Sequence, residues 1–432
     1  MKEKKNYKWA AVVPLIGGMS LGNYMATGNK PEFMLSYQAF MNNDSHIRNH
    51  WPDVPYSLID DETNQLMEDE RQEENDCYKC HKENLSEKFK GIDFVSSVPP
   101  CAGLSLLNAS TRKDSAAARG SDAVQNDWMY KSSEFVLENI QPKVLFGENA
   151  PGLFTKMGEG VVEKLKEIAE KYDYSFSMYK TNTIYHGVPQ KRERTFYFFW
   201  KDEYAPVFKH YRRERKDIEE YLQEVPKDAE LTDMYVGFGT RFADTPWYKY
   251  LVHKEGENWR DAVKDYKTGI QYLDKSGNLD DSLQWLEESY HPEDEEQEKW
   301  KHQFKKVVER FIYKKSIGKG IWDSSPHFFT GHINAVISKN IPVTVHPTEL
   351  RSLNVRELIH LMGMPHDFQV SGKNILSHIT QNVPSCTARD MTLEIMDYID
   401  GKTEISREKF YKQNNAKKSV EIEAPVKVKE LF

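Results

Sequence analysis

A single cysteine, Cys101, sits in the run Ser96-Ser97-Val98-Pro99-Pro100-Cys101-Ala102-Gly103-Leu104-Ser105. A short apolar stretch, Ile92 to Val95, precedes it and reads as a buried strand. Two prolines then stop the strand and stiffen the chain. A rigid turn that presents one thiol at a strand end is how a nucleophile is held out into a cleft. The bland alternative is an inert buried thiol, the commoner fate of a lone cysteine. A second group with chemical capacity is Cys77-Tyr78-Lys79-Cys80-His81. Two cysteines at metal-ligand spacing beside a histidine could form half a zinc site, but no second pair completes it. A haem attachment would need an export signal. The expectation is therefore a solvated, acidic insertion over residues 61–91 and no metal. A third group is Gly17-Gly18, which follows the apolar run Trp9-Ala10-Ala11-Val12-Val13. Strand, glycine turn and helix start is the layout in which backbone amides approach a cofactor closely, although a glycine pair alone also serves as a tight turn.

These groups need a scaffold that brings strand ends together. After the first strand, Phe33 to Tyr37 reads as a second, with Gln38 at its end, where a doubly wound fold often has an acidic residue gripping a ribose. Ser57-Leu58-Ile59-Asp60-Asp61 follows. Trp128, Phe135, Val136 and Ile140 space out as an amphipathic helix. Lys143 to Phe146 is a strand that ends in Gly147-Glu148-Asn149-Ala150-Pro151-Gly152. Val161, Leu165, Ile168 and Tyr172 mark a further helix face. Ser175 to Lys180 and Thr195 to Trp200 are strand candidates, with Gln190, Arg192 and Arg194 between them. Strands alternating with helices, with polar side chains at strand ends, predict a doubly wound sheet. The expected division is a catalytic and cofactor-binding domain over 1–200, a smaller domain over 201–345, a return over 346–400 and a loosely held charged tail over 401–432. Within the smaller domain, Trp300, Phe304, Val308 and Phe311 form a stripe expected to be core.

The chain of 432 residues has 29% charged and 39% hydrophobic residues, a formal charge of -8 and a pI near 6.0. Bulk polycation behaviour is excluded, so any nucleic-acid contact must come from local basic clusters such as Lys209 to Lys216 and Lys301 to Lys319. Four cysteines are too few for a disulfide scaffold of this size, and a cytoplasmic location is expected. The basic start, Met1 to Lys8, leads into too short an apolar run to predict a signal peptide or membrane span.

Taken together the motifs resemble the DNA cytosine-5 methyltransferases. Asp93 through Ser105 is similar to the family's Pro-Pro-Cys loop, and Glu148-Asn149-Ala150 to its Glu-Asn-Val. Gln190, Arg192 and Arg194 match Gln-x-Arg-x-Arg. Arg351 to Leu358 resembles the motif after the recognition domain. Ile379 to Pro384 resembles the last motif, which folds back onto the cofactor domain. The order is the family's, and the match covers most of the chain. It fails at the first turn: where the family has Asp-x-Phe-x-Gly before the glycine pair, this chain has Ala11, Val13 and Leu15, and Gln38 replaces the acidic ribose ligand.

The resemblance implies a Rossmann-like α/β methyltransferase domain with an inserted target-recognition domain. It implies transfer of a methyl group from S-adenosyl-L-methionine to carbon 5 of a flipped cytosine in double-stranded DNA. Cys101 would be the nucleophile, Glu148 the acid at the ring nitrogen, and Arg194 with Arg192 the holders of the base carbonyl. Pro100, Ser105, Asn149 and Gln190 would line the substrate side. Ile16, Gly17, Gly18, Leu21, Gln38, Asp60, Pro99, Gln381 and Val383 would line the cofactor side. Three alternatives stand beside this reading: a modified donor or partner-completed cofactor site, a non-catalytic DNA-binding relative, and an RNA substrate.

Overall fold

The computed structural model describes residues 5–67, 85–100, 102–105, 120–319, 324–337, 343–372 and 374–416. Cys101, Cys77, Cys80 and His81 lie outside the described residues. The chain separates into two compact units. One comprises residues 1–215, 362–364 and 368–432, and the other residues 216–361 and 365–367.

The first unit is built on eight strands: β1 (Trp9–Val12), β2 (Phe33–Tyr37), β3 (Tyr56–Ile59), β4 (Phe94–Ser97), β5 (Val144–Asn149), β6 (Ser175–Asn182), β7 (Glu193–Trp200) and β8 (Phe410–Asn414). Their order is β8-β6-β7-β5-β4-β1-β2-β3. β3, β2, β1, β4 and β5 are mutually parallel, whereas β7 runs antiparallel to β5 and β6. Every residue of β1 to β5 is buried, as expected of strands covered on both faces. The direction of winding reverses between β1 and β4, so their carboxyl ends open the crevice in which such sheets bind ligands.

Helices α1 (Gly18–Thr27), α2 (Met41–His50), α3 (Asp127–Phe135) and α4 (Glu159–Lys171) follow strands or precede them; apolar spacing predicts α3 and α4 and the glycine turn predicts the start of α1, whereas the largely polar α2 carries no such pattern. Val161, Leu165 and Ile168 of α4 are buried, and the α3 stripe continues through a π turn to the buried Ile140. In the second unit, α5 (Pro246–Glu255), α6 (Gly269–Lys275), α7 (Leu279–Ser289) and α8 (Glu295–Ser316) surround an aromatic core that includes Trp247, Tyr250, Trp259 and Phe304, and α9 (Val355–Leu361) is buried along its whole length. Trp300, Phe304 and Val308 of α8 lie in that core, with Phe311 packed at its edge. Asp294 caps α8 by accepting the Glu296 and Gln297 N–H groups.

In the first unit again, α10 (Ile375–Gln381) and α11 (Ser385–Ile399) carry the end of the chain back to the sheet. A Cβ at Gly22 would collide with Ala388 and the Ser385 carbonyl, so glycine permits the close crossing of α1 and α11. Asn23 bridges the same crossing: its Nδ2 donates to Ser96 Oγ of β4, and its Oδ1 accepts from Thr392 of α11.

Two expectations need correction. The segment after Gly401 is not loose as far as residue 416, because β8 pairs in register with β6 and the buried Asn415 donates to Thr181 and the Tyr211 carbonyl. Part of the basic cluster at 209–216 is engaged within the protein: Lys209 pairs with Asp397, Arg213 with the buried Asp390, and Lys216 with Glu224. Among the described residues, no helix is long and apolar enough to cross a membrane.

Candidate active site

Adjacent parallel strands place their carboxyl ends side by side. Ser97, the last residue of β4, pairs with Gly147 of β5, so the Val98-Pro99-Pro100 segment leaves the sheet beside Glu148 and Asn149. The far side of the Pro-Pro-Cys segment is anchored at the same edge. Gly103 accepts the Gly120 N–H through its carbonyl, Leu104 is fully buried, and a Cβ at Gly152 would strike the Leu104 carbonyl. Both flanks of Cys101 are thus fixed against the strand end that carries Glu148. Pro99 is buried; Pro100 and Ser105 are half-buried.

Glu148 is 2% exposed, and the Arg194 Nε lies 2.5 Å from its Oε1. Antiparallel pairing explains the meeting: Glu148 sits opposite Phe196 of β7, two residues from Arg194. Burial pushes the Glu148 carboxyl above its ordinary range, against the opposing pull of Arg194 and Arg192. The carboxyl therefore takes up a proton more readily than an exposed one, and it does so facing a guanidinium. Beneath it, Tyr197 packs where a side chain at position 147 would stand, so Gly147 is required there. Next to it, the buried Asn149 uses Oδ1 to accept the Ala150 N–H and leaves its Nδ2 without a partner.

Arg192 and Gln190 behave differently from Arg194. Arg192 is fully buried, and its terminal nitrogen donates to the carbonyls of Thr380 and Asn382, at 2.7 and 3.0 Å. Gln190 is fully buried with its Nε2 3.7 Å from the Met362 sulfur. The Arg192 guanidinium thus joins the Glu148 neighbourhood to the segment around 380–383.

That segment in turn closes the first glycine turn. The Gly18 N–H donates to Asn382 Oδ1 at 2.9 Å, and a Cβ at Gly18 would collide with Asn382 and the Val383 carbonyl. A Cβ at Gly17, whose φ is 105°, would collide with Ile47 of α2. Ile16 and Leu21 are buried on either side of the turn. Gln38 is half-buried at the end of β2. Asp60, at the end of β3, is buried, and its Oδ1 accepts the Glu62 and Thr63 N–H groups. Gln381 is exposed and donates to Ser377. Asn382 was not singled out by the sequence reading, although it lies between two residues that were.

The comparisons fall on this arrangement. A family model described as C-5 cytosine-specific DNA methylase matches residues 56–386. The chain belongs to that family. Its members are methyltransferases dependent on S-adenosylmethionine and act on DNA, and the present methylase is accordingly a DNA cytosine-5 methyltransferase. The type II methyltransferase M.Bpa9945I of Bacillus paralicheniformis is 22% identical over 72% of this chain and 71% of its own length. M1.BsuMI of Bacillus subtilis is 31% identical over 27% of this chain and 25% of its own length. In fold, the methylase is similar to a prophage-encoded Escherichia coli protein assigned as a DNA modification methyltransferase. That likeness has a TM-score of 0.52 and 14% identity, and it covers 91% of this chain and 99% of the other.

The turn also tests whether a donor fits. The carboxyl ends of β1, β2, β3 and β4 bring Ile16-Gly17-Gly18, Gln38, Asp60 and Pro99 to one edge of the sheet. Ser97 at that edge is buried with its hydroxyl unpartnered, a polar atom that lacks a protein acceptor or donor. At the departures from the family pattern the backbone is left-handed, with φ of 53° at Val13 and 51° at Leu15. An unpartnered buried hydroxyl at the carboxyl ends of these strands fits a polar ligand held there.

Proposed function

We propose that this methylase transfers a methyl group from S-adenosyl-L-methionine to carbon 5 of a cytosine flipped out of duplex DNA, through a covalent adduct at Cys101. The observation that carries the reading is the buried Glu148–Arg194 pair beside a Pro-Pro-Cys segment whose two flanks are anchored at the same strand ends.

Carbon 5 of cytosine is a poor nucleophile. Addition of the Cys101 thiolate to carbon 6 makes the ring an enamine and carbon 5 reactive. Negative charge then develops toward the ring nitrogen. Glu148, whose proton affinity is raised by burial, donates a proton there, and Arg194 keeps that carboxyl aligned and takes up charge at the carbonyl. Arg192 acts as a positioning residue through its bonds to Thr380 and Asn382. Once carbon 5 carries the methyl group, its proton passes to water, the thiolate is expelled, and the ring nitrogen returns its proton to Glu148, which restores the ring. The donor would be held by the Ile16–Gly18 backbone, Gln38, Asp60 and Pro99, and it supplies an electrophilic methyl group. The target atoms are out of reach inside a duplex, so extrusion of the base is part of the reading, at a cost of about a few kcal/mol.

The test is to incubate the protein and its Cys101→Ala variant with labelled S-adenosylmethionine and duplex DNA, and separately with duplex DNA containing 5-fluorocytosine. Transfer and a denaturation-resistant complex are expected only with the intact thiol. Neither signal from the unaltered protein would overturn the reading.

A further inference from the structure

The first turn of this chain lacks the aromatic that the family pattern places there, and Val13 stands in its position. The donor nevertheless carries an adenine ring, a flat surface that binds well where a protein offers it an aromatic wall. In a doubly wound sheet the ribose of such a ligand lies at the end of the second strand. The base is one glycosidic bond away from the ribose. It therefore belongs near the ends of β2 and β3, at Tyr37-Gln38 and Asp60-Asp61.

Helix α3 brings an aromatic to that place. Trp128, in its first turn, has its ring centroid 5.0 Å from that of Tyr37 and 5.0 Å from that of Phe40, the residues that flank Gln38-Ala39. The interplanar angles, 57° and 74°, are those of tilted and edge-on packing. Three hydrogen bonds tie α3 to the same strand ends. The Tyr37 hydroxyl donates to Asn64 Oδ1 at 2.7 Å, Asn64 Nδ2 donates to the Lys131 carbonyl at 3.1 Å, and Lys131 Nζ donates to the Asp61 carbonyl at 2.7 Å. Met129, the next residue of α3, is wholly buried and anchors the turn in the core. Phe40 is held as firmly. It leads into α2, whose Asp44 accepts the Tyr56 hydroxyl of β3 at 2.9 Å and whose Ile47 fills the space beside Gly17. Tyr37 and Phe40 are buried, whereas Trp128 keeps part of its surface open. Lys131 Nζ caps its ring on one side, 5.3 Å from the centroid.

We propose that Trp128 is a donor-binding residue: its ring is the wall against which the adenine of S-adenosylmethionine packs, in place of the aromatic absent from the first turn. The proposal rests on reading this edge of the sheet as the donor site. It moves the aromatic wall from the turn after β1 to a helix that is bonded to the ends of β2 and β3. Position 13 is then free of any demand for an aromatic side chain.

The experiment uses the full chain and its Trp128→Ala and Trp128→Phe variants. Three quantities are measured: melting temperature without ligand, S-adenosylmethionine affinity by calorimetry, and the change in tryptophan fluorescence when S-adenosylmethionine is added. The chain has nine tryptophans, so the signal of Trp128 is the difference between the unaltered protein and Trp128→Phe. Trp128→Ala is expected to weaken affinity by about tenfold. Trp128→Phe, which keeps an aromatic wall, should stay within about threefold and yet lose most of the donor-induced fluorescence change. Affinity in Trp128→Ala within about twofold of the unaltered protein would overturn the proposal. So would a fluorescence change of full size in Trp128→Phe, because the ring would then act through packing alone; this arm decides the matter if Trp128→Ala does not fold. If the unaltered protein binds no S-adenosylmethionine, the donor reading and this proposal fall together. If it binds and Trp128→Ala binds as tightly, only this proposal falls.

Discussion

The two ends of the crevice keep the family's residue types to different extents. At the catalytic end, β4, β5 and β7 present side chains of the family's types at the family's places: the Pro-Pro-Cys segment, Glu148 and Arg194. At the donor end, the side chains have changed, with Val13, Leu15 and Gln38 in place of the aromatic, the glycine and the acid. The backbone there is shaped by its neighbours: the φ angles at 13 and 15 are left-handed, and Gly18 receives the returning segment at Asn382 and Val383. The chemistry at a nucleophile or acid depends on which atoms are present, so residue type is irreplaceable. A cradle made of backbone amides depends on dihedral angles, and these can be imposed by neighbours.

The largest expected effect lies at the catalytic end. Cys101→Ala should abolish both methyl transfer and trapping on 5-fluorocytosine DNA while leaving donor affinity intact; a variant that still traps would break the comparison at its strongest point. Glu148→Gln comes next. It should lower kcat by about 10² to 10⁴-fold with little change in KM for DNA. The pH profile gives the sign. Glu148 must carry its proton to act, and burial raises its pKa, so the unaltered enzyme should lose activity as pH rises through that raised value. The glutamine variant should lack that limb, and a limb that persists would mean another group is the acid.

Two further predictions concern the donor end. Burial, the leading cause, pushes the Asp44 carboxyl from 3.8 up to about 7. A group whose pKa is raised in the folded state contributes stability that is present below its unfolded value and lost as pH rises through about 7. Asp44→Asn escapes that loss. Its melting temperature relative to the unaltered protein should therefore climb between pH 4 and pH 8, with a ceiling on the order of 4 kcal/mol. A difference that does not vary with pH would show that Asp44 titrates normally. The smallest effect is expected from Gly18→Ala. The added methyl has no room against Asn382 and the Val383 carbonyl, which predicts a loss of about 1 to 3 kcal/mol in urea unfolding. An unchanged midpoint would mean that the returning segment yields easily, and the turn would then not be held as described.

The strands and the order of motifs were legible because both write themselves into the chain locally. Apolar runs of four to eight residues mark buried strands, and prolines and glycines mark their ends. β8 escaped notice because Phe410-Tyr411-Lys412-Gln413-Asn414 is mostly polar: an edge strand buries less, so its composition resembles a tail. The basic cluster at 209–216 misled in the opposite direction. Lysines and arginines look alike in sequence whether they face phosphates or, as Arg213 does, a buried Asp390.

By itself, the sequence determined which groups could react: one thiol after two prolines, a Glu-Asn pair at the end of an apolar run and one Gln-x-Arg-x-Arg run. Reactivity of that kind is a property of atom types and short spacing. Only the tertiary structure decided how those groups divide their work. It set Arg194 against Glu148, gave Arg192 to the carbonyls of Thr380 and Asn382, and pressed Ile47 of α2 against Gly17. Those pairings join residues up to 190 positions apart in the chain. No local pattern encodes them, because they follow from strand register and from which helix face is pressed against which turn.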